Sequence, residues 1–97
     1  AERELAIVKS RVPGISAKLS QQVVNFVQML RNQDFYKNPG VAETIDWATA
    51  LTELDARSLT PQVVGDTIGA LLKYQDDIGR MQGDALQKVL KEATSDN

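Results

Sequence analysis

Apolar residues recur every three or four positions in five separate stretches of this sequence, and no stretch of useful length alternates apolar and polar residues like a half-buried strand. This spacing places the apolar side chains of each stretch on one face of an α-helix, which must then pack against another element. Short connections between the stretches favour roughly antiparallel neighbours. The pattern therefore predicts an all-α fold, a small bundle of about five helices.

Local signals set the predicted helix boundaries. Ser16 is a good N-cap residue, and Thr60 followed by Pro61 is a strong helix start. Gly79 and Gly83 are expected to kink or divide the last segment. The five predicted helices cover residues 1–11, 17–32, 41–54, 61–73 and 75–93.

Gly65 and Gly69 lie four residues apart on one face of the fourth predicted helix. This spacing resembles a membrane dimerisation motif, but nearby charged residues such as Asp66 exclude the apolar context that the motif needs. Each glycine lowers helix propensity by about 1 kcal/mol relative to alanine. We therefore expect the pair to permit a close helix crossing.

Composition limits the chemistry that the chain can perform. The 97 residues contain no cysteine and no histidine, which excludes disulfides, thiol nucleophiles, imidazole bases and most zinc sites. The net charge is −2 and basic residues are scattered singly, so no nucleic-acid partner is predicted. No apolar run approaches the ~20 residues of a membrane span. A 42% hydrophobic and 25% charged composition is typical of one globular domain.

The chain begins at Ala1 without an initiator methionine or a signal peptide, and we expect it to be a piece of a larger protein. We interpret residues 1–97 as a single domain whose tail, residues 93–97, is frayed.

Carboxylates suggest two candidate sites, each with a simpler alternative. Asp76, Asp77 and Asp84 are candidates for a cation site or, for the first two, for helix capping. Glu43 and Asp46 are three residues apart on a predicted helix, close enough for paired catalytic carboxylates. The alternative for this pair is a solvated or capping role. No catalytic residue and no metal ligand is assigned.

The aromatic residues of the middle segment also have two interpretations. Phe35 and Tyr36 precede an Asn-Pro-Gly turn, in a break longer than a simple helix connection requires. They either staple this loop to the bundle or face a ligand or a neighbouring domain. Trp47 lies beside the apolar stripe of the third helix, where an aromatic side chain usually belongs to the core.

Residues 37–51, which read K-N-P-G-V-A-E-T-I-D-W-A-T-A-L, resemble a stretch in the C-terminal lid of MoxR-type AAA+ ATPases. The match is to the branch associated with carbon-monoxide dehydrogenase maturation, whose lid carries K-x-P-G-V-x-E-T-[IL]-D-W-A-x-A-L. Further agreement comes in the expected order from residues 3–14, 26–31 and 66–78. The resemblance covers about residues 2–78.

The resemblance implies a helical lid that closes over ATP and moves with hydrolysis. An upstream α/β ATPase domain, missing here, binds the nucleotide, and the lid contacts neighbouring subunits of a ring, usually a hexamer. It implies a bacterial cytoplasmic ATPase that acts like a chaperone in metalloenzyme assembly, often beside a protein with a von Willebrand factor A domain. ATP and magnesium are then cofactors of the full-length parent, with none expected for this chain alone, which should not hydrolyse ATP.

The segment from Tyr36 to Trp47 is expected to form the surface toward the nucleotide or the ATPase domain. Many AAA+ lids present an arginine near the start of the third helix, whereas residues 40–45 here contain no basic residue. Glu43 is expected to cap its own helix or to meet the partner domain. The candidate site residues are Tyr36, Lys37, Pro39, Gly40, Val41, Ala42, Glu43, Thr44, Asp46 and Trp47.

Two other functional classes remain open. The chain could be an independent helical adaptor that binds partner proteins through the loop at residues 36–40, or a small enzyme that uses Glu43 and Asp46. A phosphate-loop domain encoded upstream of Ala1 would distinguish the lid from the adaptor.

Overall fold

The computed structural model describes residues 2–95, which form an all-helical domain without strands. The predicted all-α bundle is therefore confirmed, with six helices in place of about five. A 3-10 turn, Ile68–Ala70, follows the fourth helix directly. The helices are α1 Glu2–Arg11, α2 Ala17–Arg31, α3 Val41–Glu53, α4 Pro61–Thr67, α5 Gln75–Arg80 and α6 Gly83–Ala93.

Side-chain caps begin two of the helices as predicted. The hydroxyl of Ser16 accepts a hydrogen bond from the amide of Leu19 at 3.0 Å, which starts α2. The hydroxyl of Thr60 accepts one from the amide of Val63 at 3.2 Å, with Pro61 at the first helical position of α4. Each cap satisfies an amide that has no partner inside its helix.

The fourth and fifth predicted helices are interrupted. The α-helix from Pro61 ends at Thr67 rather than Lys73, because residues 68–70 tighten into the 3-10 turn. The last predicted segment divides into α5 and α6, and Gly83 adopts a φ of +60° at the start of α6. The predicted division is confirmed at Gly83, whereas Gly79 lies inside α5.

The predicted close crossing at Gly65 and Gly69 is wrong. A Cβ atom placed on either glycine would meet no neighbouring atom within 4 Å. These glycines therefore face open space, and no other helix packs closely against them.

The end of α6 lies inside the bundle. Ala93 is buried, and its carbonyl accepts a hydrogen bond from the side-chain amide of Asn25 at 3.3 Å. Helix α6 therefore includes Ala93, the residue at which the sequence predicts that a frayed tail begins. Ala1, the first residue of the first predicted helix, and residues 96–97 of that tail lie outside the described residues.

Helix α2 is the centre of the core and packs against α1, α3 and α6. Its Phe26 contacts Trp47 of α3, with ring centroids 5.2 Å apart. The indole nitrogen of Trp47 donates to the hydroxyl of Thr67 at 2.7 Å, so the buried polar atom is satisfied. Burial of each large apolar side chain stabilises the fold by about 1.5–3 kcal/mol. The largest fully buried side chains include Trp47, Phe26, Leu19, Leu30, Leu51, Leu71 and Leu72.

None of the helices in residues 2–95 combines the length and apolar character needed to cross a membrane.

Candidate functional site

Helix α5 holds the loop that connects α2 to α3. The carboxylate of Asp77, only 2% exposed, accepts hydrogen bonds from the amides of Tyr36 at 2.9 Å and Lys37 at 3.2 Å. The guanidinium of Arg80 lies 5.0 Å from the centre of the Phe35 ring and donates to the carbonyl of Asp34. Phe35 is buried and pins the loop to the bundle. The loop is therefore fixed through both its backbone and its first aromatic ring.

This arrangement gives Asp77 a role that neither interpretation of the aspartates predicted. Asp77 does not cap its own helix, because its carboxylate is occupied by amides of the distant loop. Asp76 and Asp84 are exposed. Within residues 2–95, no three acidic side chains come together in a group that could hold a metal ion.

Glu43 caps the start of α3. Its carboxylate accepts a hydrogen bond from the amide of Gly40 at 2.8 Å, and a Cβ atom on Gly40 would lie only 3.1 Å from the same oxygen. The Gly40 amide is the main reason that the pKa of Glu43 is lower than usual, and the ammonium groups of Lys73 and Lys37 lower this pKa further. The capping role expected for Glu43 is confirmed. Because its carboxylate is engaged in this cap, a catalytic pairing with the exposed Asp46 is not supported.

Arg31 is committed to the interior of the domain. Its guanidinium binds both carboxylate oxygens of the buried Glu4, at 2.6 and 2.8 Å, and donates through Nε to the carbonyl of Pro39 at 2.8 Å. Gln28 also donates to Glu4, at 2.9 Å. These bonds, above all those from Arg31, lower the pKa of Glu4 despite its burial. Arg31 therefore ties α1, α2 and the loop together, and its side chain is not free to reach a phosphate.

The ten candidate residues separate into buried, partly buried and exposed groups. Pro39, Thr44 and Trp47 are buried, so the structure corrects their expected place on a surface. Thr44 lies on the buried face of α3 with Trp47, and its hydroxyl is satisfied by donating to the carbonyl of Gly40 at 2.9 Å. Gly40 and Glu43 are partly buried at the helix start. The exposed candidates are Tyr36, Lys37, Val41, Ala42 and Asp46.

Lys73 and Tyr74, which were not among the candidates from sequence, lie beside candidate residues in the structure. The rings of Tyr36 and Tyr74 lie 5.2 Å apart, and the two residues are 79% and 49% exposed. The ammonium of Lys73 lies 4.0 Å from the carboxylate of Glu43. No periodic pattern marks Lys73 or Tyr74, because they follow the last buried residue of their segment, Leu72. We use the name Tyr36 surface for a set of six residues: Tyr36, Lys37, Val41, Glu43, Lys73 and Tyr74.

The Tyr36 surface is suited to binding. It combines two exposed aromatic rings, two ammonium groups and the start of a 13-residue helix, whose first amides have no acceptor within the helix. The helix dipole and Lys37 favour a negatively charged neighbour, Glu43 offsets the charge of Lys73, and the tyrosines offer apolar contact area.

Comparison with known protein families, curated proteins and solved structures identifies no match for this chain.

Proposed function

We propose that this chain is the helical lid of a MoxR-type AAA+ ATPase, and that the Tyr36 surface faces the α/β domain that binds ATP. The full-length parent then uses ATP and magnesium, assembles into a ring and acts like a chaperone in the assembly of metalloenzymes in the cytoplasm, beside a protein with a von Willebrand factor A domain. These roles rest on the ordered sequence resemblance over residues 2–78.

The observation that carries the proposal is the division of the resembling stretch, residues 37–51. Pro39, Thr44 and Trp47 are buried and serve the fold of this domain. Lys37 and Val41 belong to the same stretch but remain exposed, Val41 at 42%. A family-like pattern at exposed positions is not accounted for by core packing, and it is consistent with contact to another domain.

The fixed loop supports the same proposal. Asp77 and Arg80 hold the backbone next to Tyr36 before any partner is bound. A surface that is already ordered loses less conformational entropy on docking, so more of its contact energy appears as affinity. The start of α3 and Lys37 favour closure toward bound nucleotide, whose phosphates are anionic, whereas the charge of Lys73 is offset by Glu43 at 4.0 Å.

ATP turnover by the full-length parent tests this proposal. We expect Tyr36→Ala to lower turnover about tenfold, corresponding to about 1.4 kcal/mol. The lid itself should keep its melting temperature, because Tyr36 is exposed. Leu54→Ala is the matched control: Leu54 is 59% exposed at the opposite end of α3, whose 13 residues span about 20 Å.

Equal turnover for the two variants and the unchanged protein would contradict the lid proposal. An intact open reading frame without an upstream phosphate-loop domain would also contradict it and would favour the helical adaptor.

A further inference from the structure

A groove outside the Tyr36 surface lies between the end of α2, α5 and α6. Its volume is about 530 Å³, within the usual range for ligand sites, and one side is open to solvent. Phe35, Met81 and Val89 provide an apolar lining, and Met29 lies at the α2 side. Methionine side chains adapt to apolar groups of different shape. The groove can therefore accept one large apolar side chain.

Two cations line the same groove. Arg80 and Lys88 are both exposed, and neither lies within 4 Å of a carboxylate in the part of the chain that the structure describes. Glu92 is the only acidic residue among those lining the groove. The groove thus carries a net positive charge in a protein whose overall net charge is −2.

Arg80 is also oriented in advance. Its Nη1 donates to the carbonyl of Asp34, and its guanidinium lies over the ring of Phe35. The guanidinium carries five N–H donors, so this bond leaves others for a carboxylate. Stacking on an aromatic ring reduces the conformational freedom that arginine would lose on binding.

We propose that this groove binds an acidic peptide segment of another protein. A large apolar side chain of the segment enters the groove, and adjacent carboxylates bind Arg80 and Lys88. The open side favours a surface segment over a small ligand, because small-molecule sites usually bury most of their ligand. The proposal can be tested separately from the lid assignment: Arg80 also holds the loop beside Tyr36, but no residue of the Tyr36 surface lines the groove.

Fluorescence anisotropy of the 97-residue chain tests the proposal. The probe is a short fluorescein-labelled peptide in which a leucine–phenylalanine pair is flanked by glutamates on both sides. We expect a Kd of about 0.1 mM or tighter, which corresponds to at least about 5.5 kcal/mol. Replacing the glutamates by lysines, or the apolar pair by alanines, should remove binding.

Matched variants on α6 locate the site. Lys88→Glu should weaken binding at least about tenfold by turning attraction into repulsion, whereas Lys91→Glu, the same change outside the groove, should alter the Kd less than about twofold. Ala85→Trp should block the groove while keeping both cations, because Ala85 is exposed at its edge.

Three results would overturn the proposal. One is the absence of saturable binding by the acidic peptide, and another is an equal loss in the Lys88→Glu and Lys91→Glu variants. The third is binding of octanoate but not of the peptide, which would assign the groove to a free carboxylic acid.

Discussion

Asp77 is a buried carboxylate whose two hydrogen-bond donors are amides of a loop 40 and 41 residues earlier in the chain. Removing it leaves the amides of Tyr36 and Lys37 without this acceptor. We expect Asp77→Ala to lower the free energy of unfolding by about 1–3 kcal/mol. Urea unfolding of Asp76→Ala is the control: this exposed neighbour should change stability by less than about 0.5 kcal/mol. Equal effects would show that Asp77 does not anchor the loop.

The ion pair of Glu4 and Arg31 makes stability depend on pH. Because the pKa of Glu4 is lower in the folded protein than its ordinary value of 4.5, the unfolded chain binds a proton more readily at acidic pH. The stabilisation is therefore fully present above about pH 4.5 and is lost as the pH falls through the folded-state pKa. Glu43, whose pKa is also lowered, contributes a loss with the same sign.

Glu4→Gln isolates the contribution of this pair. We expect the variant to be less stable at pH 7 by about 1–3 kcal/mol, since Arg31 is partly exposed and can still be hydrated. Between pH 5 and pH 3 the stability of the variant should fall less than that of the unchanged protein, because the contribution of Glu4 is absent. Some loss should remain, because Glu43 titrates in both proteins. Glu2→Gln, at an exposed position of the same helix, should keep the original pH dependence. Parallel curves for all three proteins would contradict this role of Glu4.

At the scale of helices, the starts could be predicted from sequence better than the ends. Ser16 and Thr60 cap amides only three residues ahead, so the signal is local. The end of α4 depends on contacts with the rest of the bundle. The 3-10 turn after Thr67 accompanies burial of both Leu71 and Leu72, a tertiary outcome that apolar spacing alone does not distinguish from a continued helix.

The two glycines near the break between α5 and α6 should respond to alanine in opposite directions. Gly83 has a φ of +60°, a conformation that costs other residues roughly 1–2 kcal/mol, so Gly83→Ala should destabilise the protein by about 1 kcal/mol. Gly79 lies within α5 with open space around it, and Gly79→Ala should stabilise the protein by about 0.5–1 kcal/mol. Thermal unfolding of both variants checks this, and shifts of the same sign would contradict the assigned break.

At the scale of the whole molecule, the fold class could be predicted because helical periodicity is a property of each segment alone. The composition of the candidate site could not. Trp47 belongs to the resembling stretch, but its depth depends on contacts with Phe26 and Thr67 in other elements. Tyr74 lies beside Tyr36, which belongs to the loop that Asp77 of α5 holds in place. Such long-range contacts leave no signature in local spacing.

The proposal with the widest consequences is that the Tyr36 surface contacts an ATPase domain in a full-length parent. Hydrogen–deuterium exchange over residues 36–43 tests it most directly, with the 97-residue chain compared to the full-length protein in the presence of ATP and magnesium. The amides of Val41 and Ala42 have no acceptor within α3, so they should exchange rapidly in the chain alone. Contact should slow them at least about tenfold in the full-length protein, while the exposed segment at Arg57, beyond the other end of α3, keeps its rate. Equal exchange over residues 36–43 in the two proteins would contradict the claim.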